Sequence, residues 1–228
     1  MIFISAVFIA CSGSGLNKTG TQNILPLGDS ITEGVPFTYR YPLHSLLTEE
    51  GIDFDFIGSH TNGAGDYPES GWDRDNEGWA GWTTESIASE LPDWSSQYYV
   101  DVALIHLGTN DAGNNDIESS AAALISIVEQ LRENSETVSI CIAQILPFGS
   151  QLLDEQGAPA AADLNRFVSN WNMQISSIAA ELSTASSVIE IADMNSGFGD
   201  SDLDDGVHPT VDGAEKMAEQ WLDCILSF

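Results

Sequence analysis

Ser30, in the run LPLGDSITEG (25–34), follows an apolar segment and precedes a helix-forming one, so its hydroxyl stands where a strand should give way to a helix. Two roles fit that place. As a cap, Ser30 would accept a hydrogen bond from a backbone N–H while Glu33 reached back, the capping box that Ser30-Ile31-Thr32-Glu33 spells. As a nucleophile, it would attack an acyl carbon. That needs a base to take its proton, a group to hold the base, and donors for the oxyanion. Capping serines are the commoner of the two, so the rest of the chain has to decide.

Histidine is the usual base, and the chain has four. His106 lies inside the apolar run VDVALIHLGTND (100–111) and reads as a satisfied core residue. His44 falls within a helical pattern and His60 in a loop. That leaves His208, in DLDDGVHPT (202–210), with Asp205 three residues before it across a Gly-containing turn. One short loop can thus present the imidazole and bring a carboxylate to its other nitrogen, fixing the tautomer. Read by itself, DGVHP is also an ordinary acidic turn ahead of a helix.

The elements that must position these groups alternate. Apolar runs at 23–30, 53–59, 100–111, 137–147 and 186–193 read as strands, and helical spacing covers 39–50, 83–94, 116–133, 161–182 and 211–226. Residues 60–82, rich in Gly, Asp, Asn and Trp and without periodicity, read as a long loop, and residues 148–160 as a Gly/Pro loop. Strands separated by helices imply a parallel sheet covered on both faces, with function at the C-terminal strand ends. Ser30, the turn Gly108-Thr109-Asn110 and the tract after Asp193 all follow such ends.

Four short blocks, GDSITEG (28–34), GWAGW (78–82), GTND (108–111) and DGVHP (205–209), occur in the order found in the SGNH (GDSL-type) hydrolases, and the resemblance runs from residue 23 to the last helix. It implies an α/β three-layer sandwich with a central parallel five-stranded sheet of flavodoxin-like topology. It also implies Ser30 as nucleophile, His208 as general base and Asp205 orienting His208. The oxyanion hole would come from the Ser30 N–H, the Gly81 N–H and the Asn110 side-chain amide. Gly78 is the competing glycine in that loop. NEGWAGWTTESI (76–87) and DMNSGFGDSDLDDGVHP (193–209) look most like acetylxylan esterases of carbohydrate esterase family three, which commonly carry histidine where this chain has Trp79. The expected substrate is then a small ester or an acetylated carbohydrate such as xylan, with Asp29, Trp79 and Trp82 as candidate substrate contacts. Trp72 could join them, although indoles in this loop can equally pack it onto the sheet. Competing readings are a lysophospholipase, thioesterase or arylesterase on the same scaffold, and a non-catalytic carbohydrate-binding protein. A binding protein would have no need of Ser, Gly, Asn, His and Asp together.

Composition narrows the partners. The 228 residues suit one domain, 21–228, behind a leader and Ser/Gly linker over 1–20. Thirty-five acidic residues against six basic ones give a net charge of −29, a field that repels nucleic acid and anionic membrane surfaces. Adaptation to saline surroundings would explain such a surface. MIFISAVFIA (1–10) is apolar but too short to span a bilayer, and resembles the core of an export signal. Cys11 after it is similar to a lipoprotein anchor, although Phe8 is a poor match to that motif. Cleavage of an ordinary signal is the alternative. Export to the cell envelope or beyond is expected. Cys141 and Cys224 lack metal-ligand spacing and read as buried free thiols, with a disulfide between them as the other option. Asp200, Asp202 and Asp204 resemble a calcium loop whose Gly falls one place late, so no metal and no cofactor is expected.

Overall fold

A computed structural model describes residues 20–63, 67–68, 70–114, 116–153 and 160–228. The leader and Cys11 lie outside these residues. The chain runs β1 (Gln22–Gly28), α1 (Ser30–Glu33), α2 (Arg40–Glu49), β2 (Phe54–Phe56) and β3 (Glu77–Gly78). It continues through α3 (Thr84–Ser95), β4 (Val102–His106), α4 (Ile117–Asn134) and β5 (Ser139–Gln144). It ends with α5 (Ala161–Leu182), β6 (Ile189–Asp193) and α6 (Val211–Leu226). Two 3-10 turns, at Asn110–Gly113 and Asp200–Asp202, interrupt the loops after β4 and β6.

All strand pairs are parallel, in the order β2-β1-β4-β5-β6. Parallel strands need covered faces, and alternation along β4 supplies both. Ala103 and Ile105 enter a core shared with Ile87 and Leu91 of α3, Leu124 and Ile127 of α4 and Trp171 and Ile175 of α5. Val102 and Leu104 enter the opposite core, with Leu43 and Leu47 of α2 and Met217 and Trp221 of α6. This is the expected three-layer α/β sandwich.

A sixth strand departs from expectation. Within the segment read as loop, Glu77 and Gly78 pair with Leu27 and Gly28 of β1, on the edge that β2 occupies nearer the start of β1. Two residues carry no periodicity, so only the pairing reveals β3. Its consequence is local: it sets the residues after Gly78 beside those after Gly28.

The two cysteines are joined. Cys141 of β5 and Cys224 of α6 form a disulfide with a Cα–Cα distance of 6.2 Å, which corrects the reading of free thiols. Both sit in the core between the sheet and α6, where strand alternation and helix packing bring the two side chains face to face. Closing a loop of 83 residues is worth about 4 to 5 kcal/mol in the chain-entropy account. It fastens α6, and with it the loop that carries His208, to the sheet.

His106 is buried as expected, but neither ring nitrogen has a hydrogen-bond partner among the described residues. Burial pushes its imidazole down to about 4, so it stays neutral. The acidic surface is barely neutralised by pairing. Arg40 and Arg132 spend their guanidinium groups on backbone carbonyls and on Ser187 Oγ. Arg166–Asp163 and Lys216–Asp202 are salt bridges. No helix among these residues is long and apolar enough to cross a membrane.

Candidate active site

Asp29, not Ser30, caps α1. Its Oδ1 accepts the Ile31 N–H at 3.0 Å, so Ser30 becomes the first helical residue and its hydroxyl is released from capping. Glu33 does not reach back either, since its carboxylate accepts the Ala80 N–H at 2.9 Å. The capping box read from the sequence is therefore absent, because the residue before Ser30 is the better-placed acceptor. Ser30 Oγ instead lies 2.9 Å from His208 Nε2.

His208 sits on a loop that is stiffened from several sides. Leu203 and Pro209 form an antiparallel bridge, and the Asp204 N–H donates to the His208 carbonyl at 2.8 Å. Gly206 takes φ +89°, and its carbonyl accepts the Gly149 N–H at 2.8 Å. Within that turn Asp205 Oδ1 accepts the N–H groups of Val207 and His208, while Oδ2 lies 2.8 Å from His208 Nδ1. Burial raises the Asp205 carboxyl, and these three hydrogen bonds outweigh it, holding the group below the usual carboxylate range. Its charge therefore persists at any pH where an imidazole is neutral and can act as a base.

The donors arrive from two other strand ends. Beyond β3, the Trp79 N–H donates to the Gly28 carbonyl at 3.0 Å and the Trp82 N–H to Trp79 at 3.1 Å, closing a turn over Ala80 and Gly81. Gly81 adopts φ +81°, a conformation that favours glycine, and a Cβ there would meet no protein atom within 4 Å. The space beside it is open, and its N–H meets no acceptor among the described residues. The Gly78 N–H, in contrast, is taken by Asn76 Oδ1 at 2.9 Å. Geometry thus separates the two candidate glycines. Asn110, after β4, directs Nδ2 to the Trp82 carbonyl at 2.9 Å and lies 3.5 Å from Asp29 Oδ2. The amide thus donates to the Trp82 carbonyl and, at the longer distance, to the Asp29 carboxylate beside Ser30. Next to it, buried Asp111 accepts from the Thr84 backbone, the Thr84 hydroxyl and the Ser120 hydroxyl, pinning this turn to α3 and α4.

The expected substrate contacts fare unevenly. Asp29 is wholly buried beneath the site, so it serves as support and offers no surface to a substrate. Burial pushes its carboxyl up to about 7, against the pull of the Ile31 N–H and the charge of His208. Trp79 is packed rather than free. Its ring stacks on Trp82 at 4.9 Å and on Trp94 at 5.1 Å, lies edge-on to His60 at 4.8 Å, and donates Nε1 to Glu77. Trp82 is half-buried and carries the carbonyl that fixes Asn110. Trp72 joins Tyr41 and Arg40 at the start of α2. Arg40 and Trp94, and the bond that takes Glu33 to Ala80 instead of the helix end, were not read from the sequence. The fitting signal for Arg40 was a rare cation opening an otherwise apolar-spaced helix.

The acidic run after β6 does not converge. Asp200 accepts from Ser150, and Asp202 from Lys216 and the Gly199 N–H. Among the described residues no three His, Cys, Asp or Glu side chains gather as a metal site.

The arrangement is a serine within hydrogen-bond distance of an imidazole, an ionised carboxylate on the far ring nitrogen, and the turns of Gly81 and Asn110 at neighbouring strand ends. Such a set can add a hydroxyl to a carbonyl and hold the charge that develops. Residues 27–216 match the model of the GDSL-like lipase/acylhydrolase family. A multidomain esterase of Ruminococcus flavefaciens is 28% identical over 230 residues, which is 92% of this chain and 29% of that protein. The chain therefore spans less than a third of that relative. A family 3 carbohydrate esterase from Talaromyces cellulolyticus superposes with a TM-score of 0.78 at 26% identity, over 90% of this chain and 98% of that one. The family 3 carbohydrate esterase of Clostridium thermocellum gives 0.74 at 28% identity, over 90% and 98% of the two chains. A mutant acetyl esterase solved with an acetate ion gives 0.76 at 26% identity over the same shares.

Proposed function

This chain belongs to the GDSL-like lipase/acylhydrolase family, a family of ester hydrolases, and on that premise we propose that it is an exported serine esterase removing acetyl groups from a polysaccharide such as xylan. The observation that carries the reading is the continuous relay from Ser30 Oγ through His208 to Asp205, at 2.9 and 2.8 Å. The names of the family 3 carbohydrate esterases at TM-scores of 0.74 and 0.78 support the sugar. The disulfide supports an oxidising compartment.

In this mechanism Ser30 Oγ attacks the ester carbon while His208 Nε2 takes its proton. The N–H groups of Ser30 and Gly81 and the amide of Asn110 meet the negative charge on the carbonyl oxygen. Collapse expels the sugar hydroxyl, which takes the proton from His208 and leaves acetyl on Ser30. Water, deprotonated by the same imidazole, then attacks the acetyl carbon. Acetate departs and Ser30 regains its proton. Asp205 keeps the proton of neutral His208 on Nδ1 throughout, leaving Nε2 free to accept.

Hydrolysis of aryl esters from acetate to decanoate, run beside acetylated xylan, tests the substrate class. Acetate esters should turn over fastest, with a fall of about tenfold or more by the hexanoate and release of acetic acid from the xylan. Fastest turnover on decanoate would favour a lysophospholipase or thioesterase. Activity on aryl acetate alone would favour an arylesterase.

A further inference from the structure

Glu33 closes the nucleophile helix and ties it to the oxyanion loop and to α2. Its carboxylate accepts the Ala80 N–H at 2.9 Å, on the residue immediately before Gly81. Its own carbonyl accepts Arg40 Nη2 at 2.8 Å. Arg40 is wholly buried, and its remaining donors go to the carbonyls of Thr32 in α1 and of Asn62, Gly63 and Arg74 in the segment leading to β3. One cation thus binds the end of α1 to both limbs of that segment. Packing repeats the connection. A Cβ on Gly78 would lie 2.2 Å from the Glu33 nitrogen, and one on Gly63 would lie 1.5 Å from the Glu33 carbonyl oxygen, so glycine is required for the close approach.

Main-chain pairing with the nucleophile strand ends at Trp79, whose N–H reaches the Gly28 carbonyl. The next N–H belongs to Ala80 and goes to the Glu33 side chain. The one after belongs to Gly81, the proposed oxyanion donor. We propose that Glu33 is a positioning residue for the Gly81 N–H, fixing the donor relative to Ser30 on the same short helix. The inference rests on the esterase reading above and adds a residue to it. It also runs against simple electrostatics, because a carboxylate near a developing oxyanion should hinder the reaction. If charge dominated, removing Glu33 would speed turnover. If position dominates, removal slows it.

Three substitutions separate the effects. Glu33→Ala loses the acceptor and the charge, Glu33→Asp keeps the charge but falls a methylene short, and Glu33→Gln keeps an acceptor oxygen without charge. The expected result on aryl acetate is a kcat about tenfold or more lower in the Ala and Asp variants, with KM within about twofold. Glu33→Gln should stay within about threefold of wild type. Affinity for a boronic acid that adds to Ser30 should fall in step with kcat, while inhibition by acetate stays level. Melting temperatures show that each variant is folded, and the Asp variant carries the test if the Ala variant is not. Wild-type kcat in the Ala and Asp variants, faster turnover on loss of charge, or a Gln variant as slow as the Asp variant would overturn the inference. Ser30→Ala, run alongside, tests the esterase reading separately. An inactive wild type would overturn both, whereas an active wild type with indifferent Glu33 variants overturns this inference alone.

Discussion

Ser30→Ala should fold like the wild type and lose esterase turnover by roughly 10³-fold or more. The fold should tolerate the change because Asp29 caps α1 and the Ser30 side chain donates or accepts nothing in the helix itself. Alanine is also the best residue for a helical position. The chemistry should not tolerate it, because no other hydroxyl is shown within hydrogen-bond reach of His208 Nε2 among the described residues. The oxyanion donors remain, so a small residual rate over water is expected. A purified variant keeping more than a tenth of wild-type turnover, free of contaminating esterase, would remove Ser30 from the mechanism.

The second large effect concerns the base and its partner. His208→Ala should cost about as much as Ser30→Ala, since the two act as one unit and the hydroxyl has no second base. Asp205→Asn should cost less than His208→Ala, by up to about a hundredfold. The asparagine oxygen can keep the bonds from the Val207 and His208 N–H groups that hold the loop, but its NH2 then faces Nδ1 and favours the tautomer protonated on Nε2, so the loss remains large. The Asp205 side chain is 52% exposed, so water can reach Nδ1 in place of the carboxylate. Steady-state kinetics on aryl acetate measure all three variants together. Equal losses in Asp205→Asn and His208→Ala would make the carboxylate indispensable, and an unaffected His208→Ala would dissolve the pair.

Much of the frame was legible because it rests on runs of residues. The β4 run is buried at every position and gives way to Gly-Thr-Asn-Asp, and α6 spans the 211–226 that its spacing predicts. His208 was singled out by elimination among four histidines, a reading that needs no contact, and its Nε2 lies 2.9 Å from Ser30 Oγ. What stayed hidden depends on pairs remote in sequence. Cys141 and Cys224 are 83 residues apart, and nothing in their spacing says that β5 and α6 bring them together. β3 exists only through its register with β1. Two acceptors competed for one helix end, and Asp29 won over Ser30 because its carboxylate reaches the Ile31 N–H. That left Glu33 for Ala80, a bond across 47 residues that no local pattern encodes.

The central claim is that Ser30 forms a covalent acyl intermediate with His208 as its base. Treatment with an organophosphonate ester, followed by intact-protein and peptide mass spectrometry, tests it most directly. The account predicts one adduct per chain, on the peptide containing Ser30, formed in parallel with loss of aryl acetate hydrolysis. It predicts no adduct in Ser30→Ala and slow labelling in His208→Ala. Full esterase activity without an adduct, or an adduct on any other residue that abolishes activity, would contradict it.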